Sequence, residues 1–130
     1  MNDFVKRLKT MPDFFQLKGV TDDEIKKAEE NLKLEFSNEY KEYLRVCGCA
    51  SSGSYEFTGI CKSPRLDVVV VTESNRTRFP DADKRWYVVE ETGNDGIIIW
   101  QCKDGTVYAT APGKRSTEIC KSLGEYLDLQ

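Results

Sequence analysis

Three carboxylates, Glu90, Glu91 and Asp95, crowd one short stretch behind the apolar run at residues 86–89. Paired carboxylates are the material of general acid-base chemistry. These, however, flank a predicted hairpin, and no neighbouring pattern points to a saccharide. They read better as a solvated strand end or an acidic binding edge. Cys47 and Cys49 are the only close pair among five cysteines. A zinc site needs further ligands at paired spacing, and Cys61, Cys102 and Cys120 supply none, so no metal site is expected. A nucleophilic thiol needs a helix N-terminus or a cationic neighbour. Cys47 lies near Arg45 but falls at the end of a predicted helix where the dipole has the wrong sign. Gly113-Lys114-Arg115-Ser116 has the outline of a phosphate loop, but Tyr108 stands where the first glycine belongs and Arg115 interrupts the Lys-Ser step. It reads as a basic surface turn. The chain contains no histidine at all. That removes the usual general base, the usual ligand of a zinc-water centre, and the Ser-His or Cys-His nucleophile pair. No catalytic residue and no cofactor is assigned.

Composition bounds what remains. With 130 residues, 39% hydrophobic and 32% charged, the chain suits one soluble globular domain over residues 1–130. A formal charge of -3 excludes a general nucleic-acid binder, which carries a strong basic excess. Charges interrupt every apolar stretch near the N-terminus, so no secretory leader is expected there. No apolar run is long enough to span a membrane. The odd, scattered cysteines are unlike a disulfide framework, and the expected location is the reducing cytoplasm. The net charge also averages unlike segments. Residues 21–43 carry eight acids and four bases, residues 86–104 four acids and one base, and residues 62–85 six bases and four acids.

The elements that must position these groups follow from periodicity. Met1, Phe4, Val5 and Leu8 recur at helical spacing, and Pro12 closes that helix. Thr21-Asp22-Asp23-Glu24 is a capping box, with Ile25, Ala28 and Leu32 as the inward stripe of the helix it opens. A further helix starts near Ser37, buries Tyr40, Tyr43, Leu44 and Cys47, and stops at Gly48. Residues 55–60 read as a strand. Residues 66–77 (LDVVVVTESNRT) are read by local propensity as a buried strand, because four consecutive valines favour one. Residues 86–91 and 97–102 form two strands about a glycine-rich turn, and Asp104-Gly105 leads into a third at 106–110. On the middle strand both faces are apolar, which predicts packing on each side. Ser122-Leu123-Gly124-Glu125 opens a final short helix. The fold class is α+β, an antiparallel meander with flanking helices.

Several of these segments together resemble the SUKH superfamily, the proteins related to a fungal cell-wall-synthesis regulator. The resemblance runs through Gly19-Val20-Thr21-Asp22-Asp23-Glu24-Ile25, Ala28-Glu29, Leu32, Leu34 and Phe36, then Tyr40-Lys41-Glu42-Tyr43-Leu44. It continues in Phe57-Thr58-Gly59-Ile60, Gly93-Asn94-Asp95-Gly96-Ile97, Asp104-Gly105-Thr106-Val107-Tyr108 and Ser122-Leu123-Gly124-Glu125-Tyr126-Leu127. Ser37 stands where the family usually has proline; serine is itself a sound N-cap. The resemblance implies that residues 66–77 are a helix, against local propensity, with Thr72 and Arg76 in their usual positions.

It also implies an immunity protein, one that binds and neutralises a bacterial toxin domain, often a nuclease, by covering its active site. An acidic inhibitor suits a basic toxin. Tyr55, Glu56, Glu90, Glu91 and Asp95 are the expected partner-binding residues, since they combine acids and an aromatic near strand ends. The expected partner is a protein toxin, with no nucleic acid and no membrane, and the inhibitor is a monomer or weak homo-oligomer. The alternative is a regulatory or scaffold module with a cellular partner. An enzyme using only carboxylates and tyrosines would require Glu90 and Asp95 to be buried and paired in a deep pocket.

Overall fold

Each long helix opens on a side chain that completes its first turn. The computed structural model describes residues 2–129; Met1, the first position of the predicted helical stripe, lies outside them. Helix α1 (Asp3–Thr10) is capped by Asn2, whose side chain accepts from the Val5 N–H, and it buries Phe4, Val5 and Leu8. Helix α2 (Asp22–Leu32) has the full capping box between Thr21 and Glu24 and buries Ile25, Ala28 and Leu32. Helix α3 (Asn38–Cys47) starts at Ser37, buries Tyr40, Tyr43, Leu44 and Cys47, and ends at Gly48 with φ 69. Helix α4 spans Val68–Arg78, with the Asp67 side chain accepting from the Val70 N–H. A short helix α5 (Leu123–Tyr126) runs into a 3-10 turn at Leu127–Leu129.

Helix α4 overturns the strand read from local propensity and bears out the helix that the resemblance implies. Its buried positions are Val68, Val71, Thr72 and Asn75, an i, i+3, i+4, i+7 stripe. Two of the four are polar, so the helical period is hidden from any count of apolar residues. Tertiary partners make those polar groups fit. The Thr72 hydroxyl accepts from the Val88 N–H at 3.0 Å, and the Asn75 amide donates to Glu91 at 2.9 Å.

The strands form two antiparallel sheets. One has β1 (Phe15–Gln16), β2 (Ala50–Ser52) and β3 (Tyr55–Glu56) in that order. The other is a meander of β4 (Tyr87–Glu91), β5 (Ile98–Gln101), β6 (Val107–Thr110) and β7 (Thr117–Cys120). A bridge between Phe57 and Glu90 links them, with the Thr58 N–H donating to the Val89 carbonyl at 2.9 Å. The strand expected over 55–60 is therefore regular only at Tyr55–Glu56. Strands β1, β2 and β7 were not anticipated, and Ser51 and Ser52, whose composition suggests a loop, lie in β2.

Both faces of β5 are covered, as its apolar pattern required. Ile99 joins the main core with Phe4, Phe36, Tyr40, Tyr43 and Tyr87. Ile98 and Trp100 face a second cluster with Val71, Ala82, Trp86 and Val88. Between the helices and the meander runs a buried polar network. The Ser37 N–H donates to the Tyr87 hydroxyl at 3.0 Å, while the Ser37 and Tyr87 hydroxyls both donate to Gln101 Oε1, at 3.0 and 2.7 Å. The Gln101 amide passes on to Glu39 at 3.0 Å and to the Gly105 carbonyl at 2.9 Å. A proline at position 37 has no N–H to give Tyr87. Among the described residues, no helix is long and apolar enough to cross a membrane.

Candidate functional site

The Phe57–Glu90 bridge brings three of the expected partner-binding residues to one sheet junction, two of them at the surface. Glu56 is half-buried and forms a two-pronged ion pair with Arg65, at 2.6 and 2.9 Å. The guanidinium holds its carboxyl below the usual carboxylate range. Glu91 is exposed at the end of β4 and accepts from Asn75. Arg65 and Leu66 share a small cleft with Glu56 and Glu91.

Glu90 and Tyr55 sit elsewhere than surface placement supposed. Glu90 is only 4% exposed. Its carboxylate accepts from the Tyr126 hydroxyl at 2.5 Å and from the Glu56 N–H at 2.8 Å. Burial pushes its pKa up, against those two hydrogen bonds and with the Glu56 charge adding to the rise. Tyr55 is 5% exposed, stacks on Phe57 with ring centroids 5.5 Å apart, and donates to the Leu127 carbonyl at 3.3 Å. The physical reason is a register shift in β4 between Val88 and Glu90, which sets Glu90 opposite the core residue Ile99, while Tyr55 turns from β3 into the same aromatic core. Both residues hold the edge together from beneath it.

Asp95 lies apart, exposed in the turn between β4 and β5 with φ 54. Glu90 and Asp95 do not form the buried carboxylate pair that acid-base chemistry would require. The thiols are unfavourable nucleophiles as well. All five cysteines are free, and Cys49, buried and donating to the Phe57 carbonyl at 3.3 Å, is pushed up to about 12 by burial. No cluster of metal-ligating side chains occurs among the described residues.

Sequence reading missed a groove on the other side of Asn75. It has a volume of about 910 Å³ and lies between the end of α4 with its following segment and the turn joining β6 to β7. That turn is the basic surface turn read from the sequence. Pro112 and Gly113, with φ 73, build it, and the Lys114 N–H closes it on the Ala111 carbonyl at 3.1 Å. The less exposed lining is apolar, made by Phe79, Ala82 and Ala111, and the exposed lining carries Arg78, Lys114 and Arg115 against the single acid Asp81. Earlier on the same helix, Arg76 ties α4 to the end of α2 and to the segment before β4, donating to the carbonyls of Leu32 and Lys84 at 3.3 and 2.9 Å. The Pro-Gly pair and the basic run were visible signals; that Arg78 faces them was not.

No curated protein matches the chain. The SMI1-KNR4 cell-wall family model matches residues 1–129, which takes in every element that builds the edge and the groove. On that match the chain belongs to the SUKH (SMI1-KNR4 cell-wall) family.

Proposed function

We propose that this protein is a cytoplasmic immunity protein that binds a cognate bacterial toxin domain, of a basic, nuclease-like kind, and neutralises it by covering its active site. The observation that carries this reading is family membership across the whole described fold, since the family includes toxin-immunity proteins. Local chemistry supports it. The carboxylates and thiols that a catalyst would use are taken up by internal hydrogen bonds or burial, whereas Glu91 at the end of β4 and Asp95 in the turn after it present negative charge at exposed positions.

Inhibition of this kind needs area rather than reactivity. A standard interface buries about 800 Å² on each partner, roughly a ninth of the 7201 Å² surface of this chain. Glu56, Glu91 and Asp95 would meet basic residues around the toxin's substrate site and speed encounter. Tyr55 and Glu90 would act only by holding the edge in shape. The test is co-expression with the toxin encoded beside the gene. Rescue of growth and one-to-one co-purification are expected, and failure of both rejects the proposal. The family's cell-wall description favours a second reading, a regulatory module with a cellular partner. Capture of a host regulator in place of any toxin would select it.

A further inference from the structure

The acidic edge and the basic groove adjoin. Asn75 donates to Glu91 at 2.9 Å and accepts from Arg78 at 3.5 Å, so one buried side chain touches both. On the far side the β4–β5 turn closes the gap. A side-chain carbon placed on Gly96 would lie 3.0 Å from the Pro112 ring and 3.9 Å from the Arg78 guanidinium. Asp95, the residue before Gly96, therefore lies in the turn that flanks the groove. We infer that edge and groove are one docking face with two poles, and that the groove takes an acidic loop of the partner protein, with an apolar side chain on its floor and carboxylates on its rim.

Three features of the groove select that occupant. Arg78, Lys114 and Arg115 have no ion-pair partner among the described residues, whereas Arg65, Arg85, Lys103 and Lys121 each hold a carboxylate. Cations left unpaired on a chain of net charge -3 are complementary to an anionic partner. The less exposed lining is apolar and the exposed lining charged, the anatomy of a protein interface with a dry centre and a polar margin. A small-ligand site instead needs convergent polar groups inside it. Here the Thr110 hydroxyl is already committed, accepting from Trp100 Nε1 at 2.9 Å, and the remaining rim groups Pro112 to Ser116 are exposed.

Two poles of opposite sign do what one cannot. A uniformly acidic face attracts any basic protein, while adjacent patches of both signs reward one orientation and penalise its reverse. The inference rests on the immunity reading for the identity of the partner, but not for the chemistry of the groove.

The experiment has two arms. In the first, association with the neighbouring toxin is timed for the wild type, for Lys114→Glu with Arg115→Glu, and for Lys26→Glu with Lys27→Glu on α2 as a charge-matched control. The groove variant should associate about tenfold more slowly at low salt, with the control unchanged. Equal rates for groove variant and wild type overturn the inference while leaving the immunity reading intact. No binding by wild type overturns the immunity reading, and the second arm then decides the groove alone. In it, a pentapeptide of four glutamates around a central leucine is titrated against the labelled protein by NMR. Shifts at the amides of Phe79, Ala82, Ala111 and Gly113, lost in the groove variant, support the inference. Shifts elsewhere, none at all, or stronger response of the same amides to pyrophosphate overturn it.

Discussion

The Tyr126 hydroxyl donates to the Glu90 carboxylate at 2.5 Å across 36 positions of sequence, pinning the C-terminal helix to the strand that carries the acidic edge. Burial raises the pKa of Glu90 above its ordinary value of 4.5. The folded state thus holds that proton more tightly than the unfolded chain does. The resulting stabilisation is fully present below the ordinary value and is lost as pH rises through the raised one. Glu90→Gln cannot titrate. The stability of wild type relative to Glu90→Gln should therefore fall as pH rises above about 4, read from urea unfolding at several pH values. The paired comparison cancels the distant Asp83 and Asp104, which are shifted the other way. Parallel stability curves would refute the assignment.

Charge reversal separates the two neighbouring glutamates of β4. Glu90→Lys places an ammonium group in a core that offers it no carboxylate, at a cost of about 3–5 kcal/mol, and should yield little folded protein. Glu91→Lys at the exposed end removes only the acceptor of one Asn75 N–H and should cost less, about 1–2 kcal/mol. On the proposed function it should still slow association with a basic toxin. Thermal melts and stopped-flow mixing check the two outcomes.

Glu39 carries a helix end from a distance. Its carboxylate accepts from the N–H groups of Leu123 and Gly124, at 2.7 and 3.1 Å, and from Gln101 at 3.0 Å. Glu39→Ala leaves those donors buried without an acceptor and should cost about 2–3 kcal/mol. Chemical denaturation gives the magnitude. Hydrogen exchange should show the loss first at residues 123–126.

Gly59 is required by close approach. A Cβ there would fall 1.9 Å from the Gly48 carbonyl oxygen and 2.8 Å from the Cys49 Cα, so backbone must move against backbone. Gly59→Ala should unfold the protein or lower its melting temperature by at least about 10 °C. Gly53, with φ 58 and nothing within 4 Å of its would-be Cβ, is the comparison. Gly53→Ala should cost about 1 kcal/mol from the left-handed backbone alone.

Thiol reactivity should follow burial. Cys47, Cys49 and Cys120 are buried while Cys61 and Cys102 are partly exposed; partial burial and then a 2.9 Å hydrogen bond to Asp104 favour the protonated form of Cys102. With a chromogenic disulfide near pH 8, Cys61 should react first and Cys102 next. The other three should react only as fast as the protein opens. Mass mapping of the labelled peptides checks the order, and rapid labelling of Cys49 would contradict it.

Much of the fold was legible because its signals are local. The capping box at Thr21 and Glu24, the N-cap at Ser37, the stop at Gly48 and the stripes of α1 to α3 depend on residues within one or two helical turns, so spacing alone reveals them. The two-faced strand β5 was equally plain, since alternation with no polar face can only mean burial on both sides. By contrast, helix α4 hid its stripe behind Thr72 and Asn75, whose burial is tolerable only because Val88 and Glu91 complete their hydrogen bonds. The resemblance supplied what periodicity lacked.

Charge told least of all. The sequence by itself determined the fold class, the absence of histidine chemistry and the presence of unlike charged segments. It named Glu90 beside Glu91 as though they were equivalent, yet β4 sends one into the core and the other into water. It read residues 113–116 as a basic turn, but not that Arg78, remote in sequence, meets that turn across a groove beside Asp95. Only the tertiary structure decided which acids are solvated, because solvation is set by what the rest of the chain packs against each carboxylate.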